Sequence, residues 1–130
     1  TGWGTSRFAL EGNALFGQWT WSGEGIKPAD AKNNSTHKVM KFKVLQASVK
    51  AYHRNLNTHS SYRAFRSTRA KLRDEGKKLD SKLLSIHLDK YAATGKEYVE
   101  ILQKIIRQNN LTDFDDAKLL PSSINLESLI

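Results

Sequence analysis

Leu45-Gln46-Ala47-Ser48-Val49-Lys50-Ala51-Tyr52-His53-Arg54-Asn55-Leu56 sets apolar side chains at i, i+4, i+7 and i+11 through Leu45, Val49, Tyr52 and Leu56. That spacing draws one stripe along an α-helix, whereas a strand repeats every two residues. The stripe is expected to face a core. The helical period continues toward the C-terminus. Ser60 or Ser61 is placed to cap a second helix, with Tyr62, Phe65 and Leu72 on one side, Arg63, Arg66, Arg69 and Arg73 on the other, and Gly76 as its stop. A third helix is expected from about Asp80 through Leu83, Leu84, Ile86 and Leu88, stopping near Tyr91-Ala92-Ala93. Thr94-Gly95-Lys96-Glu97 has capping-box spacing for a fourth, which carries Tyr98, Ile101, Leu102, Ile105 and Ile106. Beyond Asn109 the pattern fades into a tail around Pro121-Ser122-Ser123.

Toward the N-terminus the chemistry changes. Thr1 to about Asp30 holds most of the glycines and all three tryptophans, with few helix signals. Ser6 is suited to cap a short helix through Arg7-Phe8-Ala9-Leu10-Glu11, and Gly12-Asn13 would stop it because both tolerate positive φ. Leu15 to Trp21 reads as a short strand. Lys38-Val39-Met40-Lys41-Phe42-Lys43 roughly alternates basic with apolar residues, as a half-buried strand does, and Gly23, Gly25, Pro28 and residues 32–35 between them are turn chemistry. The fold class predicted is mainly α, of the α+β kind: a small irregular β-lobe followed by a helical bundle.

At 130 residues, with 38% hydrophobic and 26% charged residues, the chain has the composition of one globular domain that needs no cross-link. The absence of cysteine excludes disulfides, thiolate nucleophiles and cysteine-ligated metals, yet fixes no compartment. No apolar run approaches the roughly 20 residues of a membrane span, so no membrane span is expected. The chain begins without methionine, which suggests a piece of something longer, with any export signal elsewhere. The net charge of +8 is concentrated: from Lys41 to Arg73 every charged residue is basic. Such a block attracts polyanions, whether nucleic-acid phosphates or the carboxylates and phosphates of a bacterial wall, and charge alone does not choose between them.

Motif order does choose. Gly2-Trp3-Gly4-Thr5-Ser6-Arg7-Phe8-Ala9, followed by Gly12-Asn13-Ala14-Leu15-Phe16-Gly17-Gln18-Trp19, resembles the signature of bacterial glucosaminidase domains of glycoside hydrolase family 73, especially the Bax-type proteins. There the motif reads Glu-Ser-Gly-Trp-Gly-Ser-Ser, then Asn-x-Leu-Phe-Gly. Lys41-Phe42-Lys43 into Ser48-Val49-x-x-Tyr52, Arg54-Asn55-Leu56-Asn57, Tyr62-Arg63-Ala64-Phe65-Arg66, Leu88-Asp89-Lys90-Tyr91-Ala92 and Tyr98-Val99-x-x-Leu102 follow in family order. The resemblance runs from Thr1 to about Leu111. It implies a lysozyme-like helical bundle with residues 1–43 forming cleft and β-lobe, 44–111 the bundle, and 112–130 a tail.

The resemblance also implies hydrolysis of peptidoglycan glycan strands next to N-acetylglucosamine, in the bacterial cell envelope or periplasm. Neither metal nor cofactor is implied, and no nucleic-acid partner. The family's general acid is a glutamate two residues before the Gly-Trp-Gly. Here Thr1 takes the motif's serine position, so that acid would stand immediately before Thr1 and the first catalytic helix is expected to be truncated. A fragment of that kind is expected to bind glycan without cleaving it. It should also expose an apolar groove that a second copy would cover. Glu24 and Asp30 are the carboxylates of the β-lobe that a second catalytic group would draw on, although solvated loop charges have the same pattern.

Each remaining candidate has a plain structural role beside its functional one. Trp3 and Phe16 fit core and site wall alike. Trp19 and Trp21 share strand parity, so both are expected on one face, where sugar rings stack. Asn13 is a turn residue that the resemblance shifts toward the cleft. Tyr91 matches a tyrosine that faces the glutamate in the family's cleft, and otherwise reads as a core tyrosine. His37, His53, His59 and His87 lack metal-ligand spacing and read as surface or capping residues.

Overall fold

Ser6 starts the first helix as its sequence position predicts. In the computed structural model, which describes residues 2–29, 31 and 35–118, Ser6 Oγ accepts a hydrogen bond from Ala9 N–H at 3.2 Å. Helix α1 spans Arg7–Gly12, and Asn13 closes it in the left-handed conformation (φ 51°, ψ 26°). The left-handed backbone at residue 13 breaks the helical path, and its N–H donates back to the Phe8 carbonyl. The described chain divides into two compact units, Thr1–His59 and Ser60–Ile130.

In the first unit, β1 (Trp19–Thr20), β2 (Gly25–Ile26) and β3 (Lys38–Met40) form an antiparallel sheet in the order β1-β3-β2. The paired segments are shorter than the sequence pattern predicts. Leu15 N–H donates to Ser48 Oγ at 3.2 Å and Phe42 N–H donates to the Gly12 carbonyl at 2.8 Å. Flanking backbone groups are thus satisfied by helices instead of by the ladder. Gly25 is required where β2 meets β3, because a Cβ there would lie 2.7 Å from the Val39 carbonyl oxygen and 2.7 Å from Lys38 Cβ.

Helix α2 (Leu45–Thr58) follows. The apolar stripe is covered only at its C-terminal end, where Tyr52 and Leu56 are half-buried, which corrects the expectation that the whole stripe faces a core. Leu45 and Val49 are 51% and 47% exposed, and the buried residue of α2 is Ser48. The reason lies in residues 15–18, whose polar groups grip the neighbouring face. Besides the bond to Ser48, Gln18 Nε2 donates to the Ala51 carbonyl at 3.1 Å, and Phe16 stacks on Tyr52 with centroids 4.1 Å apart.

The second unit is helical. A 3-10 turn (Ser60–Tyr62) leads into α3 (Arg63–Asp74), then come α4 (Ser81–Ser85), a 3-10 turn (Ile86–Leu88), α5 (Lys96–Gln108) and a last 3-10 turn (Leu111–Phe114). Ser60 and Ser61 lie inside the 3-10 turn, and Tyr62 occupies the cap position of α3 without a side-chain cap bond. Gly76, at φ +64°, follows α3 as expected. Asp80 Oδ1 caps α4 by accepting from Leu83 N–H at 2.9 Å. The capping box predicted for α5 does not form at its N-cap. Gly95 holds that position at φ 58° and ψ −116°, a conformation suited to glycine, and no side chain caps it.

Helix α4 packs against α3 and α5, with Leu84 and Ile106 buried. Ser85 is buried as well and accepts from Gln103 Nε2 at 2.6 Å. Asp115 accepts from both N–H and Oγ of Ser81 at 3.1 Å, tying the last 3-10 turn to the start of α4. Among the described residues no helix is long and apolar enough to cross a membrane.

Candidate functional site

Thr20 organises the most distinctive exposed feature of the first unit. Its side chain is buried, and its Oγ1 accepts from Gly23 N–H at 2.9 Å, which curls the chain back directly after β1. Trp19 and Trp21 on either side stay 57% and 67% exposed. Their rings meet edge to face, with centroids 6.3 Å apart and planes at 71°. The shared parity predicted for this pair is therefore realised as ring contact.

His37 completes the patch. Its ring stacks on Trp19 with centroids 4.3 Å apart and planes 23° from parallel, and Nδ1 is hydrogen-bonded to Ser35 Oγ. The reading of the histidines as surface or capping residues missed this role. The signal exists only in the register: Thr20 pairs with Lys38 across β1 and β3, so the next antiparallel position sets residue 37 opposite residue 21. Exposed indole faces with polar edges, backed by a half-buried imidazole, suit the apolar C–H face of a pyranose ring, because rigid rings lose little entropy on contact.

The other candidates of this unit are placed differently. Asn13 Nδ2 donates to the Phe42 carbonyl at 3.0 Å, joining the end of α1 to the segment entering α2. Phe16 turns one ring face to Tyr52. Trp3 is 86% exposed and has φ 56°, between Gly2 at 53° and Gly4 at 82°. A bulky residue in the left-handed region is strained, and such strain concentrates at functional sites. Trp3 makes no ring contact among the described residues. Glu24 is exposed in the loop before β2, where its carbonyl accepts from Lys41 N–H at 3.0 Å. Asp30 lies outside the described residues. Gln18 Oε1 is buried without a hydrogen-bond partner.

In the second unit, Tyr91 is half-buried in the turn after Ile86–Leu88, with its N–H donating to the Leu88 carbonyl at 3.0 Å. Its ring stacks on Tyr98 of α5, centroids 5.3 Å apart. His87 is bonded to Thr68 Oγ1 at 2.9 Å. On α3, Arg69 lies over the Phe65 ring at 5.4 Å. Partial burial, and then the neighbouring charges of Arg73 and Arg66, hold the Arg69 guanidinium below its ordinary pKa. Among the described residues, no group of three or more His, Cys, Asp or Glu could hold a metal ion.

Comparison with known proteins gives this geometry a context. The profile of the Glucosaminidase family, described as mannosyl-glycoprotein endo-beta-N-acetylglucosaminidase, matches residues 1–111. The chain is similar to protein bax of Escherichia coli (strain K12), with 34% identity over 110 residues, covering 84% of this chain and 38% of that protein. It thus spans well under half the length of that relative. No solved structure matches.

Proposed function

We propose a role that starts from one fact: the chain belongs to the glucosaminidase family. It is the glycan-binding portion of a peptidoglycan hydrolase domain that acts next to N-acetylglucosamine in the bacterial envelope. The observation that carries the binding role is the pair of exposed indoles of Trp19 and Trp21 with half-buried His37 stacked on Trp19, a surface that offers ring faces and polar edges to a sugar chain. Trp3, Asn13 and Phe16 are assigned to the same substrate-binding surface on the strength of the family motif they occupy.

The chemistry requires an acid. A glycosidic oxygen leaves as a poor anion, and a positioned carboxylic acid that protonates it contributes on the order of 10²–10⁴ in rate. Such an acid must stay protonated at neutral pH, which an apolar, aromatic surrounding favours by raising its pKa. In the family motif this glutamate stands directly before the position of Thr1. A polypeptide of these 130 residues alone therefore binds glycan and does not cleave it. Tyr91 is assigned a supporting role beside the acid, and Glu24 or Asp30 the role of second carboxylate.

The experiment compares the 130-residue polypeptide with a longer one that carries the glutamate and its helix. The first should bind chitohexaose and purified peptidoglycan without releasing soluble fragments, and the second should hydrolyse the wall. Glutamate-to-glutamine substitution in the longer protein should abolish hydrolysis, and Tyr91→Phe should reduce it strongly. An inactive longer protein, or an active glutamine variant, overturns the assignment. If Tyr91→Phe alone is harmless, the residue belongs to the Tyr98 packing and the family chemistry stands.

A further inference from the structure

Helix α3 carries cations in a pattern that helix stability does not ask for. Arg63, Arg66, Arg69, Lys71 and Arg73 share its twelve residues with a single acid, Asp74, at the last position. Arg63 stands in the first turn, where the positive end of the helix dipole disfavours cations, and no acidic residue accompanies it there. At about 100° per residue, positions 63, 66, 69 and 73 fall within an arc of about 120° and extend about 15 Å along the axis.

The opposite side of α3 is already engaged. Thr68 meets His87, and the helix packs on α4 and the Ile86–Leu88 turn. Arg69 lies over the Phe65 ring, with the guanidinium carbon 5.4 Å from the ring centroid. Arg66 and Arg73 crowd it electrostatically. No acidic residue occurs anywhere from position 31 to 73, so the sequence segment brings no carboxylate of its own to this row. Repulsion among aligned arginines is relieved by a partner that carries negative charge at several points. Guanidinium groups engage carboxylates through paired, directional hydrogen bonds.

We propose that the arginine face of α3, formed by Arg63, Arg66, Arg69 and Arg73, binds the carboxylates of the peptide stems that branch from the glycan. This rests on the reading of peptidoglycan as the substrate. The carboxylates of the stem peptides belong to the same polymer as the sugars, and their charge is complementary to that of the arginine row. Exposed ion pairs of this kind weaken as salt screens them.

The test uses co-sedimentation of the 130-residue chain with purified sacculi at low salt, either untreated or with their carboxylates converted to amides. Arg66→Gln/Arg69→Gln should lower the apparent affinity for untreated sacculi about tenfold, and amidation should lower wild-type binding to the same level without affecting the variant further. Arg63→Gln/Arg73→Gln, at two exposed positions that bury little, should give the same result if the first pair compromises folding. Binding of chitohexaose, which has no carboxylate, should be unchanged in every variant. Wild-type levels of sedimentation in both double variants overturn the proposal, as does equal wild-type binding to amidated sacculi. Selective loss of duplex DNA binding with intact sacculus binding also overturns it, in favour of a phosphate polymer. If the wild type binds neither sacculi nor chitohexaose, the peptidoglycan reading itself fails, an outcome distinct from neutral arginine variants.

Discussion

Trp19 and His37 lie ring on ring, with centroids 4.3 Å apart, although 17 residues separate them in sequence. The stack covers part of the indole and leaves Trp19 57% exposed, so the ring is held in place and still accessible. Trp19→Ala should therefore weaken chitohexaose binding by about tenfold or more, equivalent to about 1.4 kcal/mol. Calorimetric titration measures the affinity, and thermal melting should show a fold retained. An unfolded variant would return Trp19 to a packing role, and unchanged affinity in both Trp19→Ala and Trp21→Ala would remove the patch from the site.

Ser48 is the anchor between the lobe and α2. It is fully buried and accepts from Leu15 N–H at 3.2 Å. Ser48→Ala removes the acceptor and leaves a backbone donor unpaired, which costs about 1–3 kcal/mol. Urea denaturation should register that loss. A change below about 0.5 kcal/mol would mean that the donor finds another partner, as ordinary surface substitutions behave.

At Gly25 the constraint is steric. A methyl group would sit 2.7 Å from the Val39 carbonyl oxygen and from Lys38 Cβ, so β2 cannot remain on β3 unchanged. Gly25→Ala should destabilise the protein by about 1–3 kcal/mol, as overpacking does elsewhere. Hydrogen exchange should show the loss first at Met40 and Lys41, whose amides bond to the Gln18 and Glu24 carbonyls flanking this sheet. Unchanged protection there would show that the strands slide apart at little cost.

Trp3 separates stability from function. Its positive φ disfavours any bulky residue by about 1–2 kcal/mol, and at 86% exposure the ring returns little of that through packing. Trp3→Gly should leave stability equal or raise it by up to about 1 kcal/mol, while glycan affinity falls. A stability loss greater than that gain, seen by thermal melting, would show that the indole packs after all.

Local signals in the sequence determined where helices begin and end. Ser6 caps α1, Asn13 ends it in the left-handed conformation, Gly76 follows α3 and Asp80 caps α4. Each of these depends on bonds or dihedrals within a few residues, so the residue type alone carries the information. The parity of Trp19 and Trp21 was legible for the same reason, and so were the motifs that carry the family. Tertiary structure decided the rest. The buried line of α2 runs through Ser48 instead of Leu45 and Val49 because the polar groups of Leu15 and Gln18, more than 30 residues away, bind that side. Gly95, not Thr94, takes the N-cap of α5. His37 joins the tryptophans through the register of β1 on β3. These outcomes rest on pairings between distant segments, and no local preference of either partner encodes the distance at which the other will stand.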